Sequence, residues 1–149
     1  MAQTYIGSTL RTGTDSLTDT VDGGYVVVSQ TTTVTTAAAG TATSAFVQIP
    51  AYSQIIDFYV DGIVNAAAGA GTATTVPVTI GTAAAGTQYL SATDAIAGGR
   101  IALAFTTAQV AAMDDVGLNT NVYITADPNG TIVTTQGVYR LTVIYAQKV

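Results

Sequence analysis

Cysteine, histidine, glutamate and tryptophan are all missing from this 149-residue chain. Without cysteine no disulfide can hold the fold together, so the stabilising work falls to a core. Without cysteine and histidine the Ser-His-Asp and Cys-His nucleophile systems, zinc sites with nitrogen or sulfur ligands and histidine acid–base chemistry are all excluded. The missing glutamate leaves nine aspartates against four lysines or arginines, for a net charge of −5. So few cations give phosphate neutralisation almost nothing to work with, and a nucleic-acid partner is not expected. No apolar run approaches the roughly 18 residues that cross a bilayer. The opening MAQTYIGSTL has neither a basic stretch nor a hydrophobic stretch of a secretion signal. A soluble, unsecreted protein with no membrane partner is the expectation.

What is present is threonine, 28 copies, and alanine, 25. Isoleucine, leucine, valine and phenylalanine together number 37 of the 149 residues. That share, about a quarter, lies above the level at which disorder becomes the default, and the length suits one domain. Threonine with valine and tyrosine is the composition of pleated, half-buried surface, so the chain reads as all-β. Charged residues make up only 9% of it. A surface so short of charge is either covered in part by a partner or simply a bland soluble one.

The chain is organised around residues 44–65, SAFVQIPAYSQIIDFYVDGIVN. Ala45, Val47 and Ile49 alternate along one strand, which Pro50 closes because it cannot donate to a ladder. Ala51, Tyr52 and Ser53 form the turn. In the second strand a period of two puts Ile56, Phe58 and Val60 on a core face, and Ile55, Asp57, Tyr59 and Asp61 on the other.

Before this hairpin, residues 1–23 carry Tyr5, Ile6, Leu10, Leu17 and Val21 without a steady period and read as an N-terminal arm. A disordered terminus is the plainer alternative; otherwise its apolar side chains are candidates for docking on another surface. Residues 24–149 form the sandwich domain, entered through Gly23-Gly24 and the strand YVVVSQTTTVTT. After the hairpin come the strand around Val76, Val78 and Ile80, a short strand near residues 88–91, and RIALAF with Ile101, Leu103 and Phe105 on one face. Residues 106–115 are the one helix candidate, capped by Thr106 or Thr107. Two strands follow, at 121–127 and 138–146, separated by the turn Asp127-Pro128-Asn129-Gly130. About eight strands at these intervals predict a jelly-roll-like antiparallel β-sandwich with one short helix. The expected core includes Val47, Ile49, Ile56, Phe58, Val60, Leu103, Phe105, Ile124, Leu141 and Val143. Simple antiparallel connectivity places the alanine-glycine loops at residues 37 and 66 at one end and the third, at residue 83, at the other.

Candidate chemistry is sparse. Asp57 and Asp61 share a strand face, but four residues separate them by about 13 Å, wider than the roughly 5–9.5 Å of a glycosidase pair. Two solvated carboxylates is the plainer reading. Asp15, Asp19 and Asp22 lack the D-x-D-x-D-G order that gathers ligands around calcium. Asp114 and Asp115 oppose the helix dipole and help to end the helix. Gly69-Ala70-Gly71 lacks the following helix of a phosphate loop. No metal, cofactor or enzymatic activity is expected. Among the eight tyrosines, Tyr52, Tyr59 and Tyr123 are candidates for an exposed contact surface, each with an apolar body and a polar tip.

The strand–Pro–turn–strand unit FVQIPAYSQIIDFYVDGIV, the strand TVPVTIGT, the segment up to GGRIALAF and the closing YRLTVIYAQ resemble the head decoration, or cement, proteins of tailed bacteriophages. The resemblance covers residues 25–149. It implies a non-enzymatic virion protein, made in the host cytoplasm, that sits on the capsid surface. There it would bind the major capsid protein, often as a homotrimer, and reinforce contacts between capsid subunits. The arm residues Tyr5, Ile6, Leu10, Leu17 and Val21, with Tyr52 and Tyr59, are then the expected interface. The alternative is a receptor- or glycan-binding β-sandwich module of a phage tail fibre.

Overall fold

The computed structural model describes residues 4–6, 9–11 and 25–148. Two three-residue strands, β1 (Thr4–Ile6) and β2 (Thr9–Arg11), pair antiparallel as a sheet of their own. The arm is therefore not irregular throughout: Tyr5, Ile6 and Leu10 lie in a hairpin, while Leu17 and Val21 fall outside the described residues, as do Asp15, Asp19 and Asp22.

Two stacked sheets follow. Their strands are β3 (Tyr25–Thr35), β4 (Thr43–Ile49), β5 (Ser53–Val64), β6 (Pro77–Gly81), β7 (Leu90–Asp94), β8 (Gly99–Arg100), β9 (Asp115–Val116), β10 (Thr120–Ala126) and β11 (Val138–Lys148), with helix α1 (Thr107–Ala112) before β9. One sheet has the order β3-β11-β5-β8, with β9 also pairing β5, and the other β4-β10-β6-β7. All pairings are antiparallel. With the two-residue β9 set aside, the eight remaining strands fall in the order first, eighth, third, sixth in one sheet and second, seventh, fourth, fifth in the other. That is the doubled Greek key of a jelly roll.

Between the sheets lies a core of slender aliphatics and three buried tyrosines. Val47, Ile49, Phe58, Val60, Ile124, Leu141 and Val143 are buried as expected, joined by Ile80, Leu90, Ile132, Tyr89, Tyr139 and Tyr145. Two β-bulges in β5 correct the rest. Ile144 faces Asp57 and Tyr145 faces Ile55, so Ile56 has no opposite number; likewise Val138 faces Val64 and Tyr139 faces Gly62, leaving out Ile63. Each extra residue shifts the alternation by one. Ile56 is consequently 49% exposed and Ile55 only 3%, the reverse of the uninterrupted period.

RIALAF also departs from expectation. Only Gly99 and Arg100 enter the ladder, after which Ile101 donates its N–H to the Val60 carbonyl and the chain leaves the sheet. Ile101, Leu103 and Phe105 still pack on the core, half-buried. Alternation reports a chain with one apolar side, and such a chain can run extended without a hydrogen-bonded neighbour. Helix α1 begins where read: Thr106 and Gln109 form a reciprocal capping box.

The alanine-glycine loops are held in place by hydrogen bonds. Thr35 and Val64 both face Val138, so the loops that follow β3 and β5 leave from the same end. The reason differs from a simple up-and-down run, since β3 and β5 flank β11 while β4 belongs to the other sheet. At that end the Asn129 side chain accepts from the Thr74 and Thr75 N–H groups, and Ile132 N–H reaches the Ala38 carbonyl. Gly40, at φ +71°, is so close to Gly130 that a Cβ would lie 2.4 Å from its carbonyl oxygen. The third loop leaves β6 towards the other end, since Val78 faces Ala126 and Gly81 faces Tyr123. It folds back, and Ala85 donates its N–H to Thr125 Oγ1.

Candidate functional site

The outward face of β5 gathers the described ionic groups of its sheet. Between the bulges Phe58 and Val60 point inward, which turns Asp57, Tyr59 and Asp61 out. The register then brings Arg140 of β11 and Arg100 of β8 opposite Asp61. Arg100 Nε donates to Asp61 Oδ1, and Arg140 donates to Oδ2 at 3.1 Å. The Arg100 guanidinium lies over the Tyr59 ring, 4.5 Å from its centre, a contact of about 0.5–1 kcal/mol at an exposed site. Partial burial raises the pKa of Asp61, but the hydrogen bonds and charges of Arg100 and Arg140 outweigh it, and the carboxyl sits below its ordinary value. Asp57 is engaged locally, accepting the Phe58 N–H at 2.8 Å.

Two open grooves flank this strand. One, of about 380 Å³, is lined by Asp57, Tyr59, Arg100, Leu103 and Phe105. The other, of about 510 Å³, runs between β5 and α1 and is lined by Gln54, Ile56, Val110, Met113 and Ala146. Ile56 and Val110 are each about half exposed there.

The tyrosines named from the sequence do not converge. Tyr52 is 65% exposed at the β4–β5 turn, at φ +60°, with its N–H donated to the Val116 carbonyl. Tyr59 lies seven residues further along β5, on the order of 23 Å away. Tyr123 is on the outer face of the other sheet, its ring 5.1 Å from that of Phe46. Tyr89, Tyr139 and Tyr145 belong to the core. No cluster of three or more potential metal-ligating side chains occurs among the described residues, and no helix among them is long and apolar enough to cross a membrane.

Sequence reading missed the Asp61–Arg100–Arg140 triad and the exposure of Ile56, Ile63 and Leu118. Arg140 was legible as outward from its strand phase. Its partner was not, because pairing depends on a register that two bulges displace. No protein-family model, curated protein or solved structure matches the chain.

Proposed function

We propose that this protein is a non-enzymatic structural component of a phage virion, binding the outside of the capsid and reinforcing contacts between major capsid subunits as a homotrimer. The observation that carries the reading is the distribution of exposed apolar side chains. Tyr52 and Leu118 stand out at one end of the sandwich, and Ile63, Val64 and Val133 at the other. The twelve residues of β5 that separate these ends span about 40 Å. A rigid body with contact surfaces at both ends is suited to bridging neighbouring subunits. Parting the subunits then requires losing several contacts together, so each can be modest. Jelly rolls serve in viral capsids and in lectins alike, so the architecture supports this class only by analogy.

The runner-up, a glycan- or receptor-binding module of a tail fibre, draws on the groove beside Tyr59 and Asp57. Arg100 covers one face of that ring, which leaves less of it for stacking on a sugar. Copy number separates the two: many copies on purified heads support decoration, and a few on the tail overturn it. A second test concerns the arm. Deleting residues 2–22 is expected to leave thermal unfolding of the sandwich nearly unchanged while weakening head binding or trimer formation. A truncated protein that binds heads as tightly and keeps the same oligomeric state removes the arm from the interface.

A further inference from the structure

Two features in separate parts of the chain fit one another. The first is the edge of β3. Its eleven residues pair with β11 without a register break, and among the described residues no strand pairs on the other side. Thr36, the next residue, donates its N–H to the Gly137 carbonyl, which sets the phase of the ladder. Antiparallel strands alternate bonded and non-bonded pairs, so even-numbered residues aim their backbone groups at β11 and odd-numbered ones aim theirs outward. The Thr35 carbonyl accepts from Thr43 Oγ1 at 2.7 Å. Among the described residues, the outward N–H and C=O groups of Tyr25, Val27, Ser29, Thr31 and Thr33 have no partner.

Edge strands are normally blunted by brevity, lysine, proline or a bulge. The other edges of this sandwich have such devices: β4 runs into Pro50, β7 is five residues long and breaks register against β6, and β8 has two residues. β3 is long, continuous, and free of both charge and proline.

The second feature is the β1–β2 hairpin. Its strands have three residues each, and a lone two-stranded hairpin is marginal until a further strand or an apolar face joins it. Tyr5 and Leu10 are register partners at its centre. Residues 12–24, thirteen in all, separate β2 from β3. Extended, they reach about 43 Å, more than the roughly 36 Å length of β3.

We propose that the β1–β2 hairpin of one copy adds to the free edge of β3 in a second copy, extending that sheet by strand addition. Among the described residues of one chain the hairpin pairs only with itself and the outer edge of β3 with no strand, and a second copy supplies each with the other. The contact is head-to-tail, so it closes into a ring where the rotation between copies permits. It requires no capsid, so its test uses purified protein alone; a monomeric full chain would remove the homotrimer as well, while head binding, read on purified heads, stays a separate question.

The test is complementation, read by sedimentation. One variant lacks residues 2–11 and keeps the edge. The other, Thr31→Pro, keeps the hairpin and loses an outward N–H while the bonds to β11 stay whole, a placement that edge strands tolerate. The full chain is expected to associate, each variant alone to bind itself at least tenfold more weakly, and an equal mixture of the two to recover association. Both variants should unfold as cooperatively as the full chain when dilute; if Thr31→Pro does not, Val27→Lys blocks the edge by charge instead. Three outcomes overturn the proposal: a full chain that is monomeric at ~100 µM, where micromolar contacts register; a deletion variant that still associates, which means edge-to-edge pairing; or an edge-blocked variant that does, which means contact through the hairpin alone.

Discussion

Replacing Ile55 and Ile56 by alanine, one at a time, tests the bulge that turns Ile55 inward and Ile56 outward. The two substitutions remove the same three carbons one residue apart. Ile55 is 3% exposed and belongs to the core, whereas Ile56 is 49% exposed and lines the groove beside α1. A buried isoleucine cut to alanine loses its transfer free energy and leaves a cavity, about 2–5 kcal/mol in all. The half-exposed neighbour leaves no closed cavity and loses about 1 kcal/mol or less. Urea unfolding measures both. With a slope of about 1–3 kcal/mol per molar, the Ile55 midpoint should fall by on the order of 1 M or more, and that of Ile56 by a fraction of this, with the slope unchanged in each. A larger loss for Ile56→Ala, as the uninterrupted alternation requires, refutes the bulge and returns Ile56 to the face of Phe58 and Val60.

Two further predictions follow pH. Tyr139 is fully buried, its hydroxyl has no hydrogen-bond partner among the described residues, and burial, aided by the charge of Asp94, pushes its pKa up to about 12. Its neutral form is favoured by folding, so stability is whole below the unfolded value near 10 and is lost as pH rises towards the folded one. Tyr139→Phe should be near neutral at pH 7 and should flatten the loss between pH 10 and 12; an unchanged alkaline profile removes Tyr139 as its source. Asp61 has the opposite sign, because its folded pKa lies below the ordinary 3.8. Its contribution is present above that value and is lost as pH falls through the folded one. It amounts to about 0.2–1 kcal/mol, since Arg100 and Arg140 are half exposed. Asp61→Asn should therefore be slightly less stable than wild type at pH 7 and indistinguishable from it in strong acid, and a difference that persists in acid refutes the ion pairs as its cause.

The architecture was legible because it depends on period, punctuation and composition. Pro50, the Asp127-Pro128-Asn129-Gly130 turn, the capping residue Thr106 and the alternation of β4, β10 and β11 each fixed a boundary or a face. What the sequence concealed has one physical root. A bulge adds a single residue that no propensity distinguishes from its neighbours, and Ile56 and Ile63 are as suited to a core as Ile55. The bulge shows only in the register of β5 against β11, about eighty residues away in sequence. The candidate site inherits the same opacity, since Asp61 meets Arg100 and Arg140 only through cross-strand registers 39 and 79 residues away in sequence.

The sheet that carries β3 and β5 also shows what poverty in charge does to a surface. Its outward positions on β3 are Tyr25, Val27, Ser29, Thr31, Thr33 and Thr35, and β11 adds Thr142 and Ile144 between them and β5. Asp57, Asp61, Arg100 and Arg140 are the ionic side chains described on this face, and three of the four are held by one another. Covering an ionised group costs several kcal/mol unless it is paired and hydrogen-bonded, while a hydroxyl can exchange water for a neighbouring backbone or side-chain partner. A threonine face with its charges already paired can therefore be covered with little desolvation cost. Protein interface cores show the same depletion of aspartate, glutamate and lysine. The absence of charge that leaves β3 unguarded as an edge thus also lowers the desolvation cost of burying it and the face beside it.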